Sequence, residues 1–259
     1  MNELEKVAIT TSQSRDHLID IARDISQEIN IKYIPRQNQT LKRIKSQYDL
    51  THLLVVREDK IQVDDEFFFH PGMAVPRIKM LKKGLEDPMI RAMNLGPGDK
   101  VLDCTLGLAN DAIVASFVVG EKGEVVGLES SPIIYEITKW GLKYYREGSK
   151  DCRNAMENIK VVFTNYEIYL NELWDNSFDL VYFDPMFDIP YHKSSGIKGL
   201  RKYANYQKLG KHVLSEALRV ARKRVVIKDR RDSTRLQELG INHIEGGKYS
   251  PIIYGIFSK

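Results

Sequence analysis

The chain of 259 residues contains little cysteine and no long apolar run. Its two cysteines, Cys104 and Cys152, have no metal-ligand residue at usable spacing, so neither a disulfide framework nor a zinc site is indicated. No stretch of about 18 apolar residues is present, and the amino terminus MNELEKVAIT lacks the basic-then-apolar order of a secretory signal. We therefore expect a cytoplasmic protein with both thiols reduced and packed.

Turn-forming residues gather at two points, His70-Pro71-Gly72 and Gly96-Pro97-Gly98-Asp99, and divide the chain into three parts. These breaks predict a small α+β domain over 1–70, a linking helix within 71–96 and a larger domain over 97–259. The length of the chain is sufficient for one full hydrophobic core and a smaller second one.

The first two parts show both strand and helix patterns. VAITTS predicts a strand, Ser14 is a candidate cap for an amphipathic helix, and residues 53–56 with the following IQV predict a hairpin. Between Val75 and Asn94, apolar residues recur at helical spacing and predict one long amphipathic helix.

The third part alternates short apolar runs with helical stretches, which is typical of a parallel sheet covered on both faces. The predicted strands are 100–104, 124–128, 159–163, 179–183 and 223–228, the predicted helices lie around 110–119, 132–147, 166–173 and 205–221, and the closing runs are INHIEGG and SPIIYGIFSK. Five alternating units followed by a hairpin predict a Rossmann-like α/β fold of the class I methyltransferase type. Its sheet should be mostly parallel and seven-stranded, with a terminal antiparallel hairpin.

Ligands of such sheets bind at the carboxyl ends of the strands, so the residues just past each strand are the candidates for a cofactor site. Asp103 to Asp111 follow the first strand, Gly107 permits a tight turn, and a helix beginning near Asn110 presents free N–H groups. Glu129 follows the second strand, where its carboxylate could accept both hydroxyls of a ribose.

A nicotinamide dinucleotide and S-adenosylmethionine both suit this spacing. Ala109 and Ala112 stand where the dinucleotide fingerprint requires its second and third glycines, so the pyrophosphate motif is broken and S-adenosylmethionine is favoured. After the third strand, Asn165 could read the adenine edge and Tyr166 could stack on it, although Asn165 is equally suited to cap a helix.

The tetrapeptide Asp184-Pro185-Met186-Phe187 follows the apolar strand DLVYF. The amino group of a nucleobase is a poor nucleophile because its lone pair is delocalised, so catalysis must hold the group in line with the methyl donor. Asp184 and the carbonyl of Pro185 could accept its two hydrogens while Phe187 stacks on the base. An Asp-Pro pair alone is typical of a turn, but its place after the fourth strand favours catalysis.

Acidic residues are rare between His192 and Arg231. This stretch contains thirteen Lys and Arg but only two acidic residues, Glu216 and Asp229, so its net charge is +11, whereas that of the rest of the chain is −7. This pattern favours a polyanionic partner, with an ordinary solvated helix face as the alternative. The candidate substrate-binding residues in this strip are Lys193, Lys198, Arg201, Lys202 and Lys228.

Several of these runs together resemble a known family. VLDCTLGLANDAIV, LES after the second strand, YFDPMF, KRVVIK and GGKYSPIIYGIF are similar to motifs of the bacterial small-subunit ribosomal RNA guanine-N2 methyltransferases of the RsmJ type, over roughly residues 66–259. The resemblance implies S-adenosylmethionine as the cofactor and ribosomal RNA as the partner. It also implies cofactor contacts from Asn110-Asp111, Glu129-Ser130, Asn165-Tyr166 and Asp184.

The chain departs from the family pattern at four positions. Ala109 replaces the second glycine, Asn110 and Ser130 replace arginines, and Asp188 replaces the proline after Phe187. Asp188 neighbours the acceptor tetrapeptide, so the identity of the base depends on the resemblance alone. A methyltransferase for a small molecule or protein, and a cofactor-binding RNA assembly factor, remain as alternatives.

Overall fold

The computed structural model describes residues 6–64, 66–186 and 202–259, which form two β-sheets with helices packed around them. The strands of the five-stranded sheet are β1 (Val7–Thr11), β2 (Lys32–Tyr33), β3 (His52–Val56), β4 (Ile61–Val63) and β5 (Phe67–Phe68). The strands of the seven-stranded sheet are β6 (Lys100–Asp103), β7 (Glu124–Glu129), β8 (Ile159–Phe163), β9 (Phe178–Phe183), β10 (Ala221–Arg230), β11 (His243–Glu245) and β12 (Ile252–Ser258).

The seven-stranded sheet has the order β11-β12-β10-β9-β6-β7-β8. Only β12 runs antiparallel to its two neighbours, and it closes the sheet as a hairpin partner of β11. The predicted Rossmann-like class I methyltransferase fold is therefore confirmed. Because the chain builds β7 and β8 on one side of β6 and β9 and β10 on the other, the strand order reverses between β6 and β9.

Ten helices of at least four residues lie in the described parts of the chain. They are α1 (Asp16–Glu28), α2 (Leu41–Gln47), α3 (Ala74–Lys82), α4 (Pro88–Met93), α5 (Asn110–Val119), α6 (Pro132–Tyr144), α7 (Lys150–Glu157), α8 (Tyr166–Glu172), α9 (Lys211–Val220) and α10 (Arg235–Glu238). One face of the seven-stranded sheet packs in a core with α5, α6 and α7, and the opposite face packs with α8 and α9. Both faces are buried, which explains why its strands are apolar throughout.

The five-stranded sheet has the order β2-β1-β3-β4-β5. The predicted hairpin is confirmed as β3 and β4, but β1 also pairs in parallel with both β2 and β3. Helix α1 packs on one face of this sheet with Ile9 and Val56, whereas Ile44 of α2 packs on the other with Ala8 and Leu53.

The prediction of one helix between Val75 and Asn94 is wrong, because the chain forms α3 and α4 with a break between them. Gly84 has a φ of 76°, and Asp87 caps α4 by accepting hydrogen bonds from the next turn. Pro88 occupies the first turn of α4, where a missing N–H costs nothing. The apolar spacing continues across the break because both helices pack on the same core.

Three further details of the prediction are wrong. Arg15, not Ser14, is the N-cap residue of α1, and it makes no side-chain capping bond. The helix expected over 205–221 begins only at Lys211. Helix α7 was not predicted because most of its surface is polar and only Cys152, Ala155 and Met156 are buried.

The two sheets share one hydrophobic core through α6. Gly141 of α6 lies against the ring of Phe69, and a Cβ at this position would overlap that ring. Both Cys104 and Cys152 are buried free thiols. None of the helices in the described ranges is long and apolar enough to span a membrane.

Candidate functional site

The carboxyl ends of β6, β7 and β9 open into a cleft with about 510 Å³ of empty space, part of which is open to solvent. Six of the predicted site residues line this cleft: Gly107, Glu129, Ser130, Tyr166, Asp184 and Pro185. The remaining lining residues were not predicted: Cys104, Thr105, Leu128, Ile134, Met186, Ala204, Asn205 and Gln207. The cleft lies beside the point where the strand order reverses, which is where sheets of this kind bind ligands.

Glu129 is the last residue of β7 and is only 8% exposed. Its Oε2 accepts a hydrogen bond from the Gly107 amide at 3.1 Å, and its Oε1 accepts one from the Ser131 amide at 2.7 Å. Burial raises the pKa of Glu129 to about 7, although these backbone donors oppose the rise. Each carboxylate oxygen keeps a lone pair, so Glu129 can accept hydroxyl donors from a ligand in the cleft.

The turn between β6 and α5 bends through two left-handed residues, Gly107 with a φ of 53° and Ala109 with a φ of 58°. The carbonyl of Gly107 accepts a hydrogen bond from Thr138 Oγ1 at 2.7 Å, which ties the turn to α6. Glycine adopts this conformation freely, whereas alanine does so at a cost of roughly 1–2 kcal/mol. The buried Ala109 is therefore a strained position in this turn, which contributes Gly107 to the cleft.

Asp184 follows β9 and is fixed at two points. Its backbone N–H donates to Thr105 Oγ1 at 2.6 Å, and its Oδ2 accepts from Lys228 Nζ at 2.7 Å. Desolvation raises the pKa of Asp184, the Lys228 ammonium opposes this rise, and the nearby Asp111 carboxylate adds to it. The pKa of Asp184 therefore lies above the ordinary value for aspartate, so this carboxyl binds a proton at a higher pH than an exposed aspartate does.

Lys228 belongs to a largely buried chain of charges that links α3, the start of α4, α5, β10 and the segment after β9. Its ammonium also lies 2.8 Å from Asp111 Oδ2, and Asp111 Oδ1 accepts from Arg77 Nη1 at 2.5 Å. Arg77 in turn donates two hydrogen bonds to Asp87, the cap of α4, at 2.7 and 2.9 Å. We call Asp87, Arg77, Asp111, Lys228 and Asp184 the charge chain.

Within the charge chain, Lys228 and Asp111 are held ionised by their oppositely charged neighbours. Burial lowers the pKa of Lys228, but Asp111 and Asp184 outweigh burial and raise it. Burial raises the pKa of Asp111, but Lys228 and Arg77 outweigh it and hold the pKa below its ordinary value. The hydroxyl of Tyr182, whose pKa burial raises, donates to Asp111 Oδ2 at 2.8 Å.

Asp103 lies beneath the cleft and does not line it. It is 2% exposed, and its Oδ1 accepts a hydrogen bond from the Thr105 amide at 3.0 Å. Burial raises the pKa of Asp103 to about 8, and the carboxylates of Asp111 and Asp184 add to this rise. Asp103 thus holds the backbone of Thr105, which lines the cleft, through this hydrogen bond.

Tyr166 forms part of the cleft wall at the start of α8. Its ring meets Phe183 edge to face, with centroids 5.7 Å apart, and burial raises its pKa to about 12. Asn165 is the N-cap of α8, because its Oδ1 accepts from the Glu167 amide at 2.8 Å. The amide nitrogen of Asn165 donates to Gln207 Oε1 at 2.7 Å.

Residues 202–207 form the wall segment, which connects the five-stranded sheet to the cleft. Tyr203 stacks on Phe67 with centroids 5.6 Å apart, and its ring and hydroxyl both contact His52. Asn205 Nδ2 then donates to Ser130 Oγ at 3.3 Å, so the wall segment meets the residue after Glu129. Lys202 forms an exposed ion pair with Glu66 at 3.3 Å and does not line the cleft.

Four other predicted site residues do not line the cleft: Asn110, Asp111, Asn165 and Lys228. The side chain of Asn110 accepts hydrogen bonds from the amides of Met73 and Ala74 at 3.2 and 3.3 Å, so it fixes the start of α3. Asp111 belongs to the charge chain. Phe187, Lys193, Lys198 and Arg201 lie outside the residues that the structure describes.

Sequence reasoning missed Thr105, Arg77, Asn205 and Gln207. Thr105 lies in the run VLDCTLGLANDAIV directly after the first strand, so its position at a strand end could have identified it. Arg77, Asn205 and Gln207 carried no signal, because each is brought to the site by contacts with residues far away in the chain.

The donor set suits an adenosyl ligand. A buried carboxylate at the end of β7, a left-handed turn after β6 and the Tyr166 ring lie around one cleft, and none of them requires a pyrophosphate. This arrangement can hold a ribose and an aromatic base beside the Asp184-Pro185 pair.

Comparisons with known proteins agree with this geometry. A family model described as "Putative SAM-dependent methyltransferase" matches residues 24–250. The protein YpiP of Bacillus subtilis is 40% identical over 239 residues, which cover 90% of this chain and 93% of that protein. Ribosomal RNA small subunit methyltransferase J of Buchnera aphidicola (subsp. Schizaphis graminum) is 29% identical over 163 residues, 61% of this chain and 64% of that protein.

Among solved structures, a SAM-dependent methyltransferase from Neisseria gonorrhoeae has a similar fold, with a TM-score of 0.62 and 17% identity. The alignment covers 97% of this chain and 95% of that one. The resemblance to RsmJ-type proteins and the choice of S-adenosylmethionine over a dinucleotide are confirmed.

Proposed function

Because the chain belongs to the family of SAM-dependent methyltransferases, we propose that it methylates an exocyclic amino group of an RNA base, with guanine N2 of small-subunit ribosomal RNA as the acceptor. The observation that carries this proposal is the Asp184-Pro185 pair, which lines the same cleft as Glu129. One carboxylate faces the cofactor side of the cleft, and the other stands beside the space left for an acceptor.

When bound, S-adenosylmethionine supplies an electrophilic methyl group on its sulfonium. Glu129 would accept hydrogen bonds from the ribose hydroxyls, and Tyr166 would contact the adenine. Asp184 and the carbonyl of Pro185 accept the two amino hydrogens, which directs the nitrogen lone pair toward the methyl. Such positioning converts a weak nucleophile into a reactive one by orientation.

Asp184 also responds to the charge that develops on the amine. The nitrogen becomes positive as it is methylated, and an adjacent carboxylate stabilises this charge most strongly in the transition state. The raised pKa of Asp184 suits it to take the surplus proton afterwards. Lys228, 2.7 Å away, keeps the carboxyl ionised before the reaction.

Two findings support RNA as the acceptor. Distant relatives carry the name ribosomal RNA small subunit methyltransferase J. The stretch from His192 to Arg231 carries a charge of +11, which favours a polyanion. Within this strip Lys202 is exposed, whereas Lys228 is bound to two carboxylates and is best regarded as a partner of Asp184.

The test is methyl transfer from radiolabelled S-adenosylmethionine to small ribosomal subunits from cells that lack the endogenous guanine-N2 methyltransferase. Free ribosomal RNA, cell-extract protein and the small-molecule fraction serve as parallel acceptors. We expect label in small-subunit RNA, recovered as N2-methylguanosine after nuclease digestion. Asp184→Asn is the matched control and should give background incorporation.

Label recovered in protein or in small molecules, with none in RNA, would refute an RNA acceptor. Label recovered in RNA as N6-methyladenosine or N4-methylcytidine would refute guanine N2, but it would retain the Asp184-Pro185 geometry for an exocyclic amine.

A further inference from the structure

At one end of the five-stranded sheet, four side chains carry buried polar atoms without a hydrogen-bond partner among the described residues. These atoms are Thr10 Oγ1, Thr11 Oγ1, Arg36 Nη1 and Gln39 Oε1. A buried polar group without a partner costs about 1–3 kcal/mol, so such atoms usually meet a water, an ion or a ligand. Both threonines are fully buried at the last two positions of β1, and neighbouring strand residues point to opposite faces.

The topology places the end of β1 where a parallel sheet binds ligands. Strands β2, β1 and β3 are parallel neighbours, and α1 and α2 pack on opposite faces. The chain therefore reverses direction across the sheet between β1 and β3. Doubly wound sheets with the order 2-1-3 bind their ligands in the crevice at the carboxyl ends of these two strands.

Two arginines follow the neighbouring strands at this end of the sheet. Ile9 pairs with Tyr33 and Thr11 pairs with Val56, and the amide of Ser12 donates to the Val56 carbonyl at 2.8 Å. Arg36 follows the end of β2 by three positions, and Arg57 and Ser12 directly follow β3 and β1, so the three residues come at the same end of the sheet.

The local charge favours an anion. No acidic residue occurs between 29 and 48, where Lys32, Arg36, Lys42, Arg43 and Lys45 stand. Two acidic residues follow β3: Glu58 pairs with Arg15 at 2.6 Å and contacts His17 at 2.9 Å, and Asp59 lies 3.9 Å from Lys60. Lys42 and Arg43, in the first turn of α2, have no ion-pair partner among the described residues.

We propose that the carboxyl end of β1, β2 and β3 is a phosphate-binding site. Arg36 and Arg57 bind the phosphate oxygens from two sides, and the hydroxyl of Ser12 donates between them. Guanidinium groups combined with hydroxyl donors are the combination that proteins use for phosphate, because the planar fork matches two of its oxygens. The phosphate belongs either to the RNA backbone or to a free nucleotide.

This site lies on the five-stranded sheet, whereas the methyl-transfer cleft lies on the seven-stranded one. The proposal therefore does not depend on which base is methylated. If the phosphate belongs to RNA, the five-stranded sheet contributes affinity for the substrate without taking part in the chemistry.

The test compares wild type with Arg36→Ala, Arg36→Lys and the control Lys32→Ala. Lys32 is an exposed cation of β2, four positions before Arg36, and it pairs with Ala8 near the start of β1 rather than at its end. The probes are inorganic phosphate and a nucleoside 5′-monophosphate in thermal-shift titrations against chloride of equal ionic strength, and a labelled RNA oligonucleotide in fluorescence anisotropy. Circular dichroism confirms that each variant is folded.

We expect Arg36→Ala to lower the affinity for at least one probe by about tenfold or more, which is the loss typical of a charge-assisted hydrogen bond. Arg36→Lys should lose less, and Lys32→Ala should bind as the wild type does. For RNA, the salt slope should fall by about 1 in Arg36→Ala. A loss confined to RNA assigns the phosphate to the backbone, and a loss confined to the small probes assigns it to a nucleotide.

Wild-type protein that binds none of the probes would overturn the proposal. Equal affinity of Arg36→Ala and Lys32→Ala for every probe would also overturn it. Methylation of RNA by the same variants separates the phosphate site from the proposed methyltransferase function. If Arg36→Ala methylates RNA normally and binds every probe as the wild type does, the phosphate site is rejected and the proposed function is retained.

Discussion

Lys228 Nζ lies 2.7 Å from Asp184 Oδ2 and 2.8 Å from Asp111 Oδ2, so one ammonium joins two carboxylates that come from different elements. The lysine side chain is 19% exposed, and its charge offsets part of the repulsion between the two aspartates. Lys228, which belongs to the basic stretch from His192 to Arg231, is therefore an ion-pair partner of the proposed catalytic carboxylate. The ionisation of Asp184 depends on this contact.

Replacement of Asp184 by Asn should lower the rate of methyl transfer by about 10²–10³, because the neutral amide cannot stabilise a positive charge on the amine. Affinity for the cofactor should change little. Single-turnover methylation measured beside thermal unfolding checks this expectation. If Asp184 merely capped the turn after β9, the variant would melt at a lower temperature while keeping normal turnover for each folded molecule.

Lys228→Met should move the acidic limb of the kcat/KM profile to higher pH. Lys228 lowers the pKa of Asp184, whereas Asp111 raises it, so loss of the cation raises the pKa of the carboxyl further. Activity that requires ionised Asp184 is then lost at a higher pH than in the wild type. Lys223→Met is the control on the same strand, since Lys223 pairs with Asp99 away from the cleft. An unmoved acidic limb would contradict the coupling.

Affinity for S-adenosylmethionine should increase with pH through about 7, the pKa of Glu129 set by burial. Ribose hydroxyls donate to the ionised carboxylate, so binding releases a proton below this pH and none above it. Glu129→Gln should lose about 1–3 kcal/mol of affinity at pH 8 and bind with little pH dependence. Calorimetry in two buffers of different ionisation enthalpy measures both effects. Glu124→Gln, at the exposed start of the same strand, should retain the wild-type profile.

Tyr203→Ala should raise the dissociation constant of the cofactor, because Asn205 and Gln207 lose the anchor that holds them against Ser130 and Asn165. Each aromatic contact contributes about 0.5–1.5 kcal/mol, so we expect a loss of about threefold to tenfold. Tyr203→Phe keeps the rings and loses only the hydroxyl contact with His52, and should largely restore affinity. The exposed Tyr249→Ala provides the control. Equal affinity of the alanine and phenylalanine variants would refute the anchor.

Gly141→Ala should lower the melting temperature, although alanine is the better helix former. The new Cβ would overlap the Phe69 ring, and overpacking costs about 1–3 kcal/mol against a gain in helix propensity of about 1 kcal/mol. The double variant with Phe69→Leu should recover part of the loss. A higher melting temperature for the single variant would show that α6 and the five-stranded sheet separate easily.

The strands that carry the cleft were predicted from the sequence because their apolar runs are buried on both faces. Predicted and observed bounds agree for β6 to β10 within a few residues, and Gly107, Glu129 and Asp184 stand directly at or after strand ends. Strand-end residues are predictable since the parallel arrangement brings all carboxyl ends to one edge. The helix break at Gly84 was not predicted, because apolar spacing is the same whether one helix or two pack on a core.

By itself, the sequence determined the order of strands and helices, the class of cofactor and the residues that follow each strand, since these depend on local periodicity and turn chemistry. The tertiary structure decided which charges meet. Arg77, Asp111, Lys228 and Asp184 come from four separate elements, and only their packing brings the charges within 3 Å of one another. The same holds for Tyr203, whose contacts with His52 and Phe67 lie more than 130 positions away along the chain. Buried polar contacts of this kind depend on the relative placement of whole elements, which no pattern of neighbouring residues encodes.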